Sequence, residues 1–188
     1  MVESWVDEPL QNISQKVFHD AVPSQYQAPI AYIRKQLHEG LLGHQVCVSW
    51  IHGDYSPENI LVDPQRNQIT GILDWELSTP NDLPLLDLMH LLISLRMNKT
   101  QSELGSVVCN LLKRQDWEPA EVELIRAASL DLQCSEIKFQ DLLLLAWIRH
   151  IAANLNKTSQ FDHDDRWVNE NFLSILRVFS GQSVPYVA

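Results

Sequence analysis

Three side chains with oxygen atoms suited to metal and phosphate chemistry follow one another closely in the sequence: Asp54, Asn59 and Asp74. Hard oxygen ligands beside a phosphate group are what Mg²⁺ prefers. A carboxylate next to a hydroxyl nucleophile orients that hydroxyl and accepts its proton. The three residues are therefore candidates for magnesium-dependent phosphate chemistry, provided that the fold brings them to one place.

The elements around these residues predict such a convergence. Short β-rich runs are predicted strands at 46–51, 60–62 and 69–73. The turn-like residues between the last two runs predict an antiparallel hairpin, which sets Asn59 opposite residue 72 or 73. Asn59 and Asp74 then emerge at one end of the sheet, and the first strand anchors the loop that carries Asp54 at the same end.

The rest of the chain reads mainly as helix. Residues 1–28 are mixed, with two prolines as breakers. A helix is predicted from Pro29, at its first turn, to residue 39, where Gly40 stops it. Leucines recur at helical spacing from 85 to 95, and the long apolar stretch near 142–148 predicts a helix buried nearly all round. The other predicted helices cover 102–114, 118–131, 135–155 and 165–179. This order of elements predicts an α+β fold, with a small β element set into a helical body.

Composition limits the classes of function. The 188 residues are 45% apolar and 20% charged, which is typical of one globular domain and excludes a wholly disordered chain. The formal net charge of -10 argues against nucleic acid or an anionic membrane as a partner, and it suits a cationic ligand or simple solubility. The N-terminus has no signal-peptide pattern, no apolar run is long enough to span a membrane, and the three cysteines include no CxxC pair, so a cytoplasmic location is expected.

Three segments of the sequence resemble the aminoglycoside phosphotransferase and choline kinase family. His52–Asn59 is similar to its H-G-D-x-x-x-x-N catalytic loop, Ile72–Glu76 to its D-W-E segment, and Pro84–Leu88 to its P-x-x-D-L helix start. The order and intervals of the three segments also fit. The resemblance covers residues 30–96.

The resemblance implies a role for each matching residue. Asp54 would be the catalytic aspartate, and Asn59 and Asp74 would hold Mg²⁺ together with the nucleotide. His52 would brace the loop, and Asp87 would hydrogen-bond the loop backbone from a helix start. ATP or GTP would donate a phosphoryl group to a hydroxyl of a small molecule, with an amine-bearing acceptor such as an aminoglycoside favoured by the acidic charge balance.

The resemblance also implies a protein-kinase-like C-terminal lobe, mostly helical, in which a small β-hairpin element carries the catalytic loop. One such lobe is expected over residues 1–188: an N-terminal helical segment at 1–45, the catalytic loop and β element at 46–76, and a helical body at 77–188. The first 51 residues offer neither a glycine-rich loop nor a lysine in a strand. The N-terminal nucleotide lobe is therefore expected to be missing from this chain or separately encoded. Asn81 stands where the family usually has glycine, and Asn tolerates the left-handed conformation.

The densest acidic cluster of the chain allows two interpretations. Asp162, Asp164 and Asp165 are most simply charges of a solvated loop and a helix N-terminus. Alternatively they form one wall of a site for a cationic acceptor, to which Trp167 adds a cation–π contact.

Two rival functions also stay open. A lobe of this kind can be a non-catalytic module that binds a ligand or a partner protein. A metal-dependent phosphohydrolase would use the same oxygen cluster, but such sites usually need more ligands, often several histidines.

Overall fold

A computed structural model describes residues 2–157 and 164–181. The described residues form helices and two small antiparallel sheets, which confirms the predicted α+β class. The strands are β1 Ser49–Ile51, β2 Ile60–Asp63, β3 Gln68–Ile72 and β4 Thr79–Asp82. The helices are α1 Glu8–Phe18, α2 Ser24–Leu41, α3 Leu85–Thr100, α4 Leu104–Arg114, α5 Pro119–Asp131, α6 Phe139–Lys157, α7 Asp165–Val168 and α8 Ser174–Val178. Across this part of the chain, no helix has the length and apolar character needed to cross a membrane.

The chain divides into two compact units. The first unit takes the described residues of Met1–His44, Glu103–Asp116 and Ile137–Ala188. The second unit takes Gln45–Ser102 and Trp117–Glu136. All four strands and the three motif segments therefore belong to the second unit.

The first unit is a helical assembly built around α6. Every residue from Leu142 to Ile148 is buried, so this helix is buried nearly all round, as predicted. The Trp147 ring stacks on Phe172 at 5.7 Å between ring centroids, and its Nε1 donates to the backbone oxygen of Asn171 at 2.8 Å. Asn169–Leu173 forms a π-helical turn between α7 and α8, so the predicted helix at 165–179 is present with a widened centre.

The N-terminal region is more helical than predicted. The π-helical turn Glu3–Asp7 runs directly into α1, so Pro9 lies within a continuous helical segment and does not break it. The prediction that Pro29 begins the next helix was wrong, because α2 starts at Ser24 and Pro29 lies inside it. The extra turn is stabilised by packing, since the buried ring of Tyr26 stacks on Phe18 with 5.7 Å between centroids.

The second unit contains both sheets. β2 and β3 form the predicted hairpin, and Ile60 pairs with Ile72 at its open end. β1 is three residues long and pairs antiparallel with β4, a strand that was not predicted. Asn81 in β4 has φ 56°, which confirms that it adopts the left-handed conformation expected where the family has glycine.

Helices α3 and α5 pack together in the second unit through a half-buried charge pair. Arg96 Nε donates to Glu121 Oε1 at 2.9 Å, and a second guanidinium nitrogen reaches the other carboxylate oxygen. The guanidinium group also lies over the Trp117 ring, 5.5 Å from its centroid. Arg96 therefore joins one end of α5 to the helix that follows the motif segments.

Candidate active site

The hairpin end brings the loop residue Asn59 beside the end of β3. The backbone N–H of Leu73 donates to the backbone oxygen of Asn59 at 2.9 Å, which confirms the predicted register. Asp74 follows directly, is exposed, and has a left-handed backbone with φ 59°. The Asn59 and Asp74 positions therefore lie at one end of the hairpin.

The His52 side chain connects the loop to Leu73, at the end of β3. Its side chain is buried, and its Nε2 lies 2.7 Å from the Leu73 carbonyl oxygen, which can only accept a hydrogen bond. Its Nδ1 lies 3.2 Å from the backbone nitrogen of Asp54, which can only donate. Both bonds together require the neutral ring with its proton on Nε2. His52 is therefore a bridge between β3 and the loop, and both of its nitrogens are already engaged.

Asp87 holds the backbone of the same loop from the first turn of α3. Its two carboxylate oxygens accept hydrogen bonds from the N–H groups of His52 at 2.6 Å and Gly53 at 2.9 Å. Gly53 has φ 82°, and a Cβ atom at this position would collide with the carbonyl oxygen of Leu77. Only glycine satisfies both the left-handed backbone and the close approach.

A hydrogen bond within the loop joins its two candidate functional residues, Asp54 and Asn59. Asn59 Nδ2 donates to the backbone oxygen of Asp54 at 2.9 Å, so the amide turns its nitrogen to the loop and leaves its oxygen as a candidate metal ligand. The side chain of Asp54 is 26% exposed. Among the described residues, no three His, Cys, Asp or Glu side chains cluster as a metal site. A donor set of one amide oxygen and one carboxylate fits Mg²⁺ that also takes phosphate oxygens and water.

A histidine that sequence reasoning missed stands beside Asp54. His90 Nε2 lies 3.7 Å from Asp54 Oδ1, and the side chain of His90 is 13% exposed. Burial lowers the pKa of His90, and the negative charges of Asp54 and Asp87 oppose that effect. His90 lies outside the three motif segments, but it follows Asp87 by three residues on α3. That spacing puts both side chains on one helix face, which is the signal that would have found it.

Glu58 marks the outer edge of the loop. Its Oε1 accepts a hydrogen bond from Asn98 Nδ2 of α3 at 2.7 Å, and this bond holds the pKa of Glu58 below its usual range. The contact attaches the short helical turn Pro57–Asn59 to α3. The loop is thus held by α3 at both of its ends.

The predicted acceptor wall belongs to the first unit. Asp164 Oδ1 accepts from the backbone N–H groups of Arg166 and Trp167, each at 3.0 Å, so Asp164 caps α7. Asp165 lies in the first turn of that helix, and Trp167 is half-buried. Asp162 lies outside the described residues. These capping contacts agree with the simpler interpretation, in which the acidic residues are charges of a loop and a helix N-terminus. A role in acceptor binding stays a prediction.

Comparisons with known proteins agree with the three sequence motifs. The model of the phosphotransferase enzyme family matches residues 8–122, which is more than half of the chain. The match includes the loop at 52–59, the segment at 72–76 and the start of α3. No curated protein and no solved structure matches the chain. By its family match and by the motifs that its second unit carries, this chain belongs to the phosphotransferase enzyme family.

Proposed function

We propose that the chain carries the catalytic centre of an ATP- or GTP-dependent phosphotransferase that acts on a hydroxyl group of a small molecule. Asp54 orients the acceptor hydroxyl and takes its proton as the hydroxyl oxygen bonds to the γ-phosphorus. The bond between that phosphorus and the bridging oxygen of the nucleotide breaks, and the nucleoside diphosphate leaves. Because phosphoryl transfer asks little covalent chemistry of the protein, positioning and charge neutralisation account for most of the rate.

The observation that carries the proposal is the anchoring of the loop at 52–59. Asp87 holds two consecutive backbone N–H groups, His52 ties the loop to Leu73, and Asn59 ties it to Asp54. A catalytic carboxylate must be held within a fraction of an ångström of its working position. These contacts supply that rigidity while the Asp54 carboxylate stays partly open to solvent.

Asn59 and Asp74 would hold Mg²⁺ with the nucleotide phosphates. The oxygen of the Asn59 amide and the exposed carboxylate of Asp74 are hard ligands of the kind this ion takes. Bound there, the ion would neutralise charge on the phosphates as the γ-phosphoryl group is transferred. Asn59 and Asp74 would hold the ion, and water and substrate would supply its other ligands.

The second unit corresponds in this proposal to part of a kinase-like C-terminal lobe, and a further lobe covers the nucleotide phosphates. Exposed apolar side chains of the hairpin and its flanks support this part of the proposal. The name hairpin patch is given to these six side chains, Trp50, Leu61, Val62, Ile69, Leu73 and Trp75, each between 46% and 64% exposed and distributed over both faces of the hairpin and its flanks. Burying these side chains is favourable, so a separately encoded covering lobe would have a surface to pack on.

An amine-bearing acceptor, such as an aminoglycoside or a choline-like compound, suits the charge of the chain. The net charge of -10 raises the local concentration of cations around the protein. Asp162, Asp164, Asp165 and Trp167 are the candidate acceptor wall. The support for the acceptor class is this charge balance alone.

The test measures nucleoside diphosphate release and phosphorylated product from Mg·ATP and from Mg·GTP with a panel of aminoglycosides and choline. Asp54→Ala should lower transfer by about 10²–10⁴-fold, with nucleotide affinity hardly changed, because a general base contributes that much. Asn59→Ala and Asp74→Ala should instead raise the Mg²⁺ concentration needed for half-maximal rate. Asp131→Ala, which removes an exposed carboxylate of α5, is the matched control and should behave as the parent.

Equal transfer by the parent and Asp54→Ala would remove Asp54 from the mechanism. An unchanged Mg²⁺ requirement in both ligand variants would refute the metal assignment. Binding of an amine or a nucleotide without turnover in any condition would favour the non-catalytic module instead. Release of phosphate from a phosphate ester without nucleotide would favour the phosphohydrolase.

A further inference from the structure

His90 is the titratable side chain of α3 that faces Asp54. Its Nε2 lies 3.7 Å from Asp54 Oδ1, a distance at which the two groups interact electrostatically but just beyond a hydrogen bond. Hydrogen bonds of catalytic groups are often long before substrates bind and shorten in the reacting complex. A shortening of about 0.5 Å would bring this pair into hydrogen-bond range.

The surroundings of His90 favour a neutral ring. Burial lowers the pKa of His90, and His52 lowers it further. The negative charges of Asp54, Asp87 and Glu58 raise it. Within the described part of the chain, these four groups are the charged or titratable neighbours that act on the ring. A neutral imidazole with its proton on Nε2 donates one hydrogen bond without adding a full positive charge.

We propose that His90 is a positioning residue for Asp54, whose carboxylate it holds by donating from Nε2 while the other carboxylate oxygen faces the acceptor hydroxyl. This role rests on the proposed function, in which Asp54 is the base. A neutral donor is chemically suited to it, because a permanent cation at 3.7 Å would make the carboxylate a weaker base. The helix face that carries Asp87 thus controls both the backbone of the loop and the side chain at its centre.

The contact is tested first on the chain itself by NMR titration of its histidine side chains. His90→Gln removes one resonance and so assigns it. Asp54→Asn should lower the pKa of His90 relative to the parent, because it removes the nearest negative charge. Glu58→Gln is the matched control and should lower it less, since Glu58 contributes the smallest of the effects on the ring. An unchanged His90 pKa in Asp54→Asn would overturn the inference.

The positioning role is tested next by comparing two replacements of His90 in the transfer assay. His90→Leu should lower kcat about tenfold with little change in the KM for nucleotide, since one hydrogen bond to a charged group is lost. His90→Gln keeps a side-chain N–H donor and should recover most of that loss, which a purely structural role would not produce. Parent-like kcat in His90→Leu, or no recovery in His90→Gln, would overturn the inference.

The two readouts separate this inference from the proposed function. A parent chain that shows no turnover even when its covering lobe is supplied contradicts only the proposed function, and the Asp54→Asn titration then decides whether His90 contacts Asp54. A coupled titration together with the predicted kcat pattern supports both. Circular dichroism of each variant checks that the fold is kept.

Discussion

At the scale of single residues, Asp87 organises the loop through one carboxylate. It lies in the first turn of α3, where a negative charge is stabilised by the helix dipole. Its two oxygens accept from the neighbouring N–H groups of His52 and Gly53. A carboxylate that accepts two backbone bonds fixes the orientation of a whole peptide segment. The left-handed turn at Gly53 is thus held from a rigid helix.

Asp141 is a buried carboxylate of the first unit, and its environment predicts a pH-dependent stability. It is 1% exposed, lies against Gly40, and accepts one hydrogen bond from Gln36 Nε2 at 2.7 Å. Burial raises the pKa of Asp141. The folded protein therefore holds this proton more tightly than the unfolded chain does. The stability from this group is fully present below the unfolded pKa and is lost as the pH rises through the folded pKa.

Asp141→Asn keeps an oxygen for Gln36 and removes the buried charge. We expect the free energy of unfolding of this variant to exceed that of the parent at pH 7, and the difference to shrink toward pH 4. Urea denaturation at several pH values measures it. Asp131→Asn, an exposed position, is the control and should show no such pH trend. A gain of equal size at pH 4 and pH 7 would contradict the assignment to ionisation of Asp141.

At the scale of elements, the strands that the sequence predicted are those marked by local patterns of β-rich and turn residues. The hairpin of β2 and β3 follows from two β-rich runs around a turn, and its register follows from the turn position. β4 was missed because Thr79, Pro80, Asn81 and Asp82 carry no strand pattern. Its pairing with β1 depends on tertiary structure, and the register shift between Ser49 and Ile51 shows how irregular that pairing is.

The candidate site was predictable for a similar reason. His52, Asp54 and Asn59 lie in one loop, so their spacing in sequence identifies them together. The hairpin then places Asp74 near the end of that loop. His90 belongs to α3, and only the three-dimensional packing of that helix sets it beside Asp54. A motif in sequence identifies the residues of one segment and leaves their neighbours on other elements to the fold.

The pairing of α3 with α5 gives a prediction about an element contact. Arg96 engages both oxygens of Glu121, and these side chains are 18% and 14% exposed. Arg96→Lys keeps the charge but loses the forked geometry, so one of the two bonds is lost. We expect the free energy of unfolding to fall by about 1–2 kcal/mol, measured by chemical denaturation.

Arg114→Lys, at an exposed position of α4, is the matched control for that change. It should alter stability by no more than about 0.5 kcal/mol, because exposed substitutions away from special contacts have small effects. Equal losses in the two variants would show that the Arg96 effect does not come from its paired contact with Glu121. A double-mutant cycle with Arg96→Lys, Glu121→Gln and both changes together measures the coupling.

At the scale of the whole molecule, net charge and the hairpin patch have opposite effects on association. The formal charge of -10 at neutral pH makes copies of the chain repel one another. The hairpin patch attracts, because apolar side chains gain free energy when they leave water. The sequence pI of about 5.0 marks the pH at which the repulsion disappears. Self-association should therefore rise as the pH approaches that value, without unfolding.

We expect light scattering of the folded chain to increase between pH 7.5 and pH 5, and the double variant Val62→Lys/Ile69→Lys to suppress the increase. Its two lysines remove apolar surface from the hairpin patch and also make the net charge less negative. Gln65→Lys/Gln68→Lys, at exposed positions of the same hairpin, changes the charge equally and leaves the patch intact. If association depends on the patch, only the first variant stays monodisperse at pH 5. Equal suppression by both would assign the effect to charge and remove the patch as an attractive surface.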